Sequence, residues 1–231
     1  MNLTLFSGGA AQAVVNGLQA EFEHAHGCTL APTFGAVGAM RDKLLGGAPC
    51  DLLVLSASLI AQLEADGHVV AGSARPLGRV ATGVAVRSDA PVVAVDTPDA
   101  LKETLAAARG FHVPDLRQST AGIHIAGVLA ALGLAEAMAD RIREFPNGAT
   151  AMRELARSEG AGMLGCTQVT EIMYTPGVKL VGELPAAHAL NTVYSAAVCR
   201  TAREPALAAQ LVEALAGEGS AALRRRSGFT L

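Results

Sequence analysis

Four short segments of the sequence carry small or hydroxyl residues, and each follows a predicted strand and precedes a predicted helix. They are residues 7–9, 35–38, 56–57 and 119–122. The first turn of a helix has N–H groups without an intrahelical acceptor, and small residues let an anion approach them. The segments therefore predict a site for a small anion, held by backbone N–H groups and a few hydroxyls. Ordinary turns and helix caps are the alternative interpretation.

Two arginines and one glutamine extend this predicted site. Arg117 precedes the fourth segment, and its guanidinium can bind a carboxylate through two parallel hydrogen bonds. Arg41 has the same chemistry, but a solvated helix face is the favoured interpretation there. Gln168 follows a short strand, where it would face the anion. The predicted ligand-binding residues are Ser7, Gly8, Gly9, Ala36, Val37, Ser56, Arg117, Ser119, Thr120 and Gln168.

Groups for catalysis are few, and the catalytic residues stay unassigned. His124 is a candidate proton carrier because it lies in the first turn of a predicted helix, where the helix dipole favours the neutral imidazole. Cys166, at the end of a short strand, is the other candidate. A histidine hydrogen-bonded in the core and a buried free thiol are the structural alternatives. The sequence has no nucleophile elbow, zinc-protease motif, P-loop or dinucleotide-binding glycine motif, and we predict neither a metal nor a cofactor.

The four cysteines, Cys28, Cys50, Cys166 and Cys199, have neither a C-x-x-C pair nor the spacing of zinc ligands. We interpret them as buried free thiols. A disulfide between Cys28 and Cys50 is the alternative if the protein is exported.

Composition excludes several classes of protein. The chain has 231 residues, of which 51% are hydrophobic and 17% charged, which indicates a folded protein rather than a disordered one. A net charge of −3 and 3% aromatic residues argue against nucleic-acid binding. No apolar run is long enough to span a membrane. Residues 1–6 contain no basic residue, so the sequence as written predicts a cytoplasmic protein; a mature exported domain is the alternative.

The order of predicted elements indicates an α/β fold. Strands at residues 3–6, 29–34 and 51–55 alternate with helices at 10–23, 37–45 and 58–66, which is typical of a sheet covered by helices on both faces. After a turn-rich connection at 72–78, the pattern predicts a strand at 80–87, a helix from 97 and a strand at 110–113. The remaining predicted helices cover 121–132, 136–145, 149–158, 205–217 and 219–226. The remaining predicted strands cover 162–166, 178–182 and 191–199.

Residues 5–23, 33–57, 119–134 and 224–229 together resemble the molybdate-binding family of periplasmic solute-binding proteins, and GAPCDLLVLSA is the most specific stretch. The resemblance implies a type 2 periplasmic-binding fold, with two lobes that are each a sheet flanked by helices. It places one lobe at 1–80 plus 190–231 and the other at 81–189. It also implies a ligand in the cleft between the lobes, hinge closure, an ABC permease as partner, and a monomer, with a dimer as the alternative.

The sequence departs from that family where hydroxyls are expected to bind an oxyanion. Ala10 and the segment 35–38 stand where the family has serines, and Gln168 replaces a tyrosine. Two hypotheses therefore stay open. The first is a solute-binding protein for a small oxyanion or organic carboxylate. The second is a cytoplasmic enzyme, of an isomerase or proton-transfer type, or a sensor, that acts on a small carboxylate.

Overall fold

The computed structural model describes residues 1–231, which divide into two compact units. Unit 1 contains Met1–Val80 and Thr192–Leu231, and unit 2 contains Ala81–Asn191. The strands are β1 Asn2–Gly8, β2 Thr29–Gly35, β3 Leu52–Ser56, β4 Arg75–Arg87, β5 Gly110–Pro114, β6 Ile142–Phe145, β7 Met163–Gln168, β8 Val178–Glu183 and β9 Asn191–Val198. The α-helices are α1 Gln12–His26, α2 Val37–Leu45, α3 Ala57–Ala65, α4 Pro98–Ala107, α5 Thr120–Ala131, α6 Ala135–Met138, α7 Gly148–Arg157, α8 Val169–Tyr174, α9 Pro205–Ala216 and α10 Ala221–Arg226. None of the helices is both long enough and apolar enough to cross a membrane.

Unit 1 contains a sheet in the order β2-β1-β3-β9, in which β9 is the antiparallel member. Every residue of β3 is buried, as expected for an apolar strand in the middle of a sheet that is covered on both faces. Asp51, directly before β3, is a buried carboxylate. It accepts hydrogen bonds from the Thr4 N–H and hydroxyl, both at 2.7 Å, and from the Arg203 N–H at 2.8 Å. These bonds outweigh the effect of burial, so the pKa of Asp51 lies below its ordinary value.

Unit 2 contains a second sheet, in which β5 lies between its parallel neighbours β6 and β7 and the antiparallel strand β4 joins β7 to β8. One apolar cluster, which includes Leu101, Phe111 and Leu129, fills one part of this unit. A smaller cluster, which includes Met152 and Ile172, fills another. Each unit is thus a sheet flanked by helices, as the resemblance implied.

Two element predictions were wrong, and one helix was missed. The helix predicted at 136–145 is instead the short helix α6, a 3-10 turn and the strand β6, because β6 pairs along its whole length with β5. The six-residue helix α8 was not predicted. Strand β4 begins at Arg75, inside the segment predicted as a turn-rich connection, where Arg79 and Thr230 exchange two backbone hydrogen bonds of 2.7 and 2.8 Å.

Candidate functional site

The turns after β1, β2 and β3 lie side by side at one edge of the unit 1 sheet. Ser7 of β1 is in register with Phe34 of β2 and with Val54 of β3, and Gly8 is in register with Gly35. Because the three strands are parallel, their carboxyl ends meet at the same edge, where ligands of open α/β sheets bind. We call residues 8–11, 35–38 and 56–58 the unit 1 turns.

The helices that start at the unit 1 turns have no side-chain caps. The residues at the N-cap positions of the first 3-10 turn, α2 and α3 are Gly8, Ala36 and Ser56, and none of their side chains accepts a hydrogen bond from the helix. In α2 the first helical hydrogen bond is donated by the Met40 N–H to the Ala36 carbonyl at 3.0 Å. The three N–H groups before it therefore have no acceptor within the helix, and they stand at the positive end of its dipole.

Three serine hydroxyls lie in or next to the unit 1 turns. Ser7 is fully buried, and its hydroxyl donates to the Gly8 carbonyl at 2.9 Å. The hydroxyls of Ser56 and Ser58 lie 3.3 Å apart and share a hydrogen bond. The predicted residues Ser7 and Ser56 thus lie at the same edge as the backbone donors. The Ser7 hydroxyl, however, already donates its hydrogen bond to the protein's own backbone.

Tyr194 is a residue of this edge that the sequence analysis missed. It lies on β9 in register with Ser56, and its buried ring meets the ring of Phe229 edge to face at 6.4 Å. A Cβ atom on Gly8 would lie 3.1 Å from Cε1 of Tyr194 and 2.8 Å from Cγ1 of Val37. Glycine at position 8 therefore leaves room for the side chains of Tyr194 and Val37 to pack against the turn. The sequence showed only that Tyr194 lies in the strand predicted at 191–199, and the pairing of this strand with β3 comes from the structure.

In unit 2 the helices α4, α5 and α7 are capped by the protein's own side chains, whereas α6 and α8 have no side-chain cap. Thr97 accepts from the Ala100 N–H at 3.1 Å at the start of α4, and Ser119 accepts from the Gly122 N–H at 3.4 Å at the start of α5. Asn147 accepts from the Thr150 N–H at 2.8 Å at the start of α7. The Ser119 hydroxyl, predicted as a ligand contact, is thus used as a helix cap.

The N-terminus of α7 also holds a buried carboxylate. Glu171 accepts hydrogen bonds from the Thr167 hydroxyl at 2.5 Å and from the N–H groups of Gly148, Ala149 and Gln168. A Cβ atom on Gly148 would overlap both the Glu171 carboxylate and the Thr167 hydroxyl, so this position requires glycine. Burial raises the pKa of Glu171 to about 7, although the hydrogen bonds oppose this effect. Glu171 thus serves as an internal anion for this helix.

Of the other predicted ligand residues, Ser119 and Thr120 are partly exposed at the start of α5, and Gln168 is buried at the end of β7. Arg117 is exposed in the loop after β5, where its N–H donates to the Asp115 carboxylate at 2.8 Å. Arg41 pairs with its neighbour Asp42 at 2.7 Å. Arg117, Ser119, Thr120 and Gln168 thus belong to unit 2, whereas Arg41 and the other six predicted ligand residues belong to unit 1.

The two candidate proton carriers are both in unit 2. The Nε2 atom of His124 lies 2.7 Å from the His188 carbonyl, so this nitrogen is used in a structural hydrogen bond. Cys166 is buried in the larger apolar cluster, and burial raises the pKa of its thiol far above the ordinary value. A thiol in that environment stays protonated and is a poor proton acceptor. No group of three or more metal-ligating side chains occurs.

Comparison with known proteins identifies the family of this chain. A family model for bacterial extracellular solute-binding proteins matches residues 3–230. The chain belongs to this family. The aconitate isomerase of a Pseudomonas species is 28% identical over 236 residues, which covers 98% of this chain and 87% of the relative.

Solved structures share the fold at low sequence identity. The periplasmic molybdate-binding protein of Azotobacter vinelandii is similar with a TM-score of 0.81, 20% identity and 99% coverage of both chains. The sulfate-binding protein SubI of Mycobacterium tuberculosis is similar with a TM-score of 0.76, 17% identity and coverage of 99% of this chain and 86% of the other. The type 2 periplasmic-binding fold and the resemblance to molybdate-binding proteins are thereby confirmed.

Proposed function

We propose that this solute-binding protein takes up a small oxyanion or organic carboxylate at the unit 1 turns. One observation carries the proposal: three helical segments begin side by side at one sheet edge, and none has a side-chain cap. Backbone N–H groups that point to one place, at the positive ends of helices, form a binding site for an anion. Delivery of the anion to an ABC permease, from an extracellular or periplasmic location, is part of the same proposal.

The chemistry of the unit 1 turns supports binding rather than catalysis. Their side chains are hydrogen atoms, methyl groups, one valine and the hydroxyls of serine, and none of these titrates near neutral pH. Such a surface attracts negative charge and supplies neither a general acid nor a base. The named ligands of two structural neighbours, molybdate and sulfate, are small anions of the kind that this surface fits.

The proposal is tested by removing one backbone donor. Val37 is the first residue of α2, a position where proline fits a helix and lacks only the N–H. The residue before it, Ala36, has ψ at 140°, which a following proline accepts. The variant Val37→Pro therefore deletes a predicted anion donor. Val37→Ala is the matched control, because it loses the same valine packing and keeps the N–H.

The wild-type protein is screened by thermal shift and calorimetry against molybdate, tungstate, sulfate, phosphate and a panel of di- and tricarboxylates. A ligand at a hundredfold excess over its Kd stabilises the folded state by about 2.7 kcal/mol. For the best anion we expect Val37→Pro to bind about tenfold more weakly than Val37→Ala. Equal affinity of the two variants, or no anion that raises the Tm, contradicts the proposal.

A second candidate function is isomerisation of a small carboxylate, and the similarity to aconitate isomerase over 98% of the chain favours it. Such a reaction needs a group that moves a proton. His124 and Cys166 are the predicted groups, and both are already held in structural roles. The test is incubation of the protein with cis- and trans-aconitate in D₂O, followed by NMR. Conversion or deuterium incorporation that His124→Gln abolishes would establish isomerase activity. Binding of aconitate without either result would support solute binding as the function.

A further inference from the structure

Two cysteines from distant parts of the chain meet at the end of the unit 1 sheet away from the unit 1 turns. Cys50 lies just before β3 and Cys199 just after β9. The two strands are antiparallel, with Leu52 in register with Val198. The Cys199 N–H donates to the Asp51 carbonyl at 2.9 Å, so the ladder continues to the cysteine itself. The register therefore places Cys199 opposite the residue that follows Cys50.

Their side chains lie close enough to interact, because the Cys50 thiol is the main cause of the raised pKa of the Cys199 thiol. Cys50 Sγ donates to the Leu52 carbonyl at 3.0 Å. Both cysteines are buried. The other two cysteines lie elsewhere, with Cys28 just before β2 and Cys166 on β7 of unit 2. In this structure all four cysteines are free, and Cys28 is not bonded to Cys50.

We propose that Cys50 and Cys199 are a disulfide site that closes when the protein folds under oxidising conditions. Both S–H bonds break and one S–S bond forms. The two protons and two electrons pass to a disulfide oxidant, which is reduced to two thiols. The family is described as extracellular, and extracellular compartments are where protein disulfides form and persist.

The bond would join the two chain segments that make up unit 1. The closed loop runs from residue 50 to residue 199 and contains all of unit 2. A cross-link over so long a loop removes many conformations from the unfolded chain and stabilises the folded one. Because it lies at the opposite end of β3 from Ser56, the bond would hold the sheet without altering the unit 1 turns.

Oxidation should be slow once the protein has folded. Hydrogen bonding to Cys50, together with burial, raises the pKa of the Cys199 thiol far above its ordinary value. Thiol–disulfide exchange requires a thiolate and access to it, and the folded protein offers neither. The same burial would protect the disulfide from reduction after it has formed.

The test is to refold the full chain in a mixture of oxidised and reduced glutathione, with a reduced sample beside it. Remaining thiols are alkylated in denaturant, and the peptides are mapped by mass. We expect alkylation of Cys28 and Cys166 only, and a peptide cross-linked through Cys50 and Cys199. The oxidised protein should melt about 5–15 °C above the reduced one. Native reduced protein in the same mixture should form the bond much more slowly.

Single variants separate the pairings. Cys50→Ser and Cys199→Ser should each abolish both the cross-link and the rise in Tm, whereas Cys28→Ser and Cys166→Ser should retain both. A Cys28–Cys50 cross-link, or four alkylated thiols after oxidative refolding, overturns the proposal. The peptide map of the wild-type protein decides this even where a variant fails to fold. Anion binding is measured separately on the reduced protein, so either proposal can fail alone.

Discussion

The unit 1 turns and the starts of α5 and α7 in unit 2 occupy the same kind of position but differ in helix capping. In both units, helices begin just beyond the carboxyl ends of parallel strands. In unit 2, Ser119 and Asn147 each accept a hydrogen bond from one first-turn N–H group of α5 and α7, whereas α8, which follows β7, has no side-chain cap. In unit 1 the corresponding positions are Gly8, Ala36 and Ser56, and the Ser56 side chain does not cap its helix. The comparison indicates that every such helix start has free N–H donors, and that a capping side chain reduces the number left for a ligand.

Glu171 shows what an anion does at such a helix start. Its carboxylate lies where the N–H groups of Gly148 and Ala149 converge, and it is buried by the protein around it. The first turn of α2 offers similar donors without a carboxylate of the protein's own. We therefore interpret the start of α7, with its own carboxylate, as a counterpart of the uncapped start of α2 in unit 1.

The largest effect is expected from Gly148→Ala. The added methyl group would overlap the Glu171 carboxylate and the Thr167 hydroxyl, and both are buried. Displacing a buried carboxylate from its donors should lower the free energy of unfolding by about 3–4 kcal/mol, measured by urea denaturation. The control is Gly127→Ala in α5, where a Cβ meets no atom within 4 Å, and it should stabilise by about 0.5–1 kcal/mol. Similar destabilisation by both variants would show that the space around Gly148 is not what matters.

The next effect is the pH dependence that Glu171 imposes on stability. Its pKa is about 7 in the folded protein and lies above the ordinary value of 4.5, so the folded state binds the proton more tightly. Stability from this group is complete below pH 4.5 and is lost as the pH rises through 7. The loss amounts to about 3 kcal/mol.

Glu171→Gln should lack this decline, so the difference in free energy of unfolding between the two proteins should change with pH, whatever the effect of the substitution on absolute stability. Urea denaturation at pH 5, 6, 7 and 8 measures it. Parallel curves for the two proteins over that range would mean that Glu171 titrates normally.

A smaller effect would convert the unit 1 pattern into that of unit 2. Ala36→Asp places a carboxylate at the N-cap of α2, where aspartate accepts from the first-turn N–H groups. Anion affinity should fall more than tenfold, because the new carboxylate competes for the donors and repels the ligand. Ala36→Asn is the neutral match and should weaken binding less, as measured by calorimetry. Unchanged affinity in Ala36→Asp would place the anion elsewhere.

The smallest effect concerns Arg117, whose contribution to ligand binding stays a prediction from the sequence. Its side chain is exposed, so Arg117→Ala should change the free energy of unfolding by less than about 0.5 kcal/mol. We expect a several-fold loss of affinity for carboxylates and a smaller loss for molybdate, since only the carboxylate matches the guanidinium fork. Arg41→Ala, whose guanidinium already pairs with Asp42, is the control and should bind as wild type.

Much of unit 1 could be predicted from the sequence because its signals are local. The apolar run of β3 and the small residues after each strand lie within a few positions of one another, and α2 was predicted with its observed bounds. The strand β6 could not be found this way. Its four residues follow directly on a helical pattern that begins at residue 136, and only pairing with β5 supplies the hydrogen bonds that make them a strand.

The sequence by itself determined that four turns rich in small residues follow predicted strands, since the residue types and the order of the elements can be read directly from it. It treated the segment at 119–122 like the three in unit 1. Only the tertiary structure separated them, because capping depends on where the Ser119 hydroxyl points and docking of Glu171 depends on how β6 and β7 flank β5. The meeting of Cys50 with Cys199 was decided in the same way. Contacts between residues far apart in the chain follow from strand register, and register exists only once the sheet has formed.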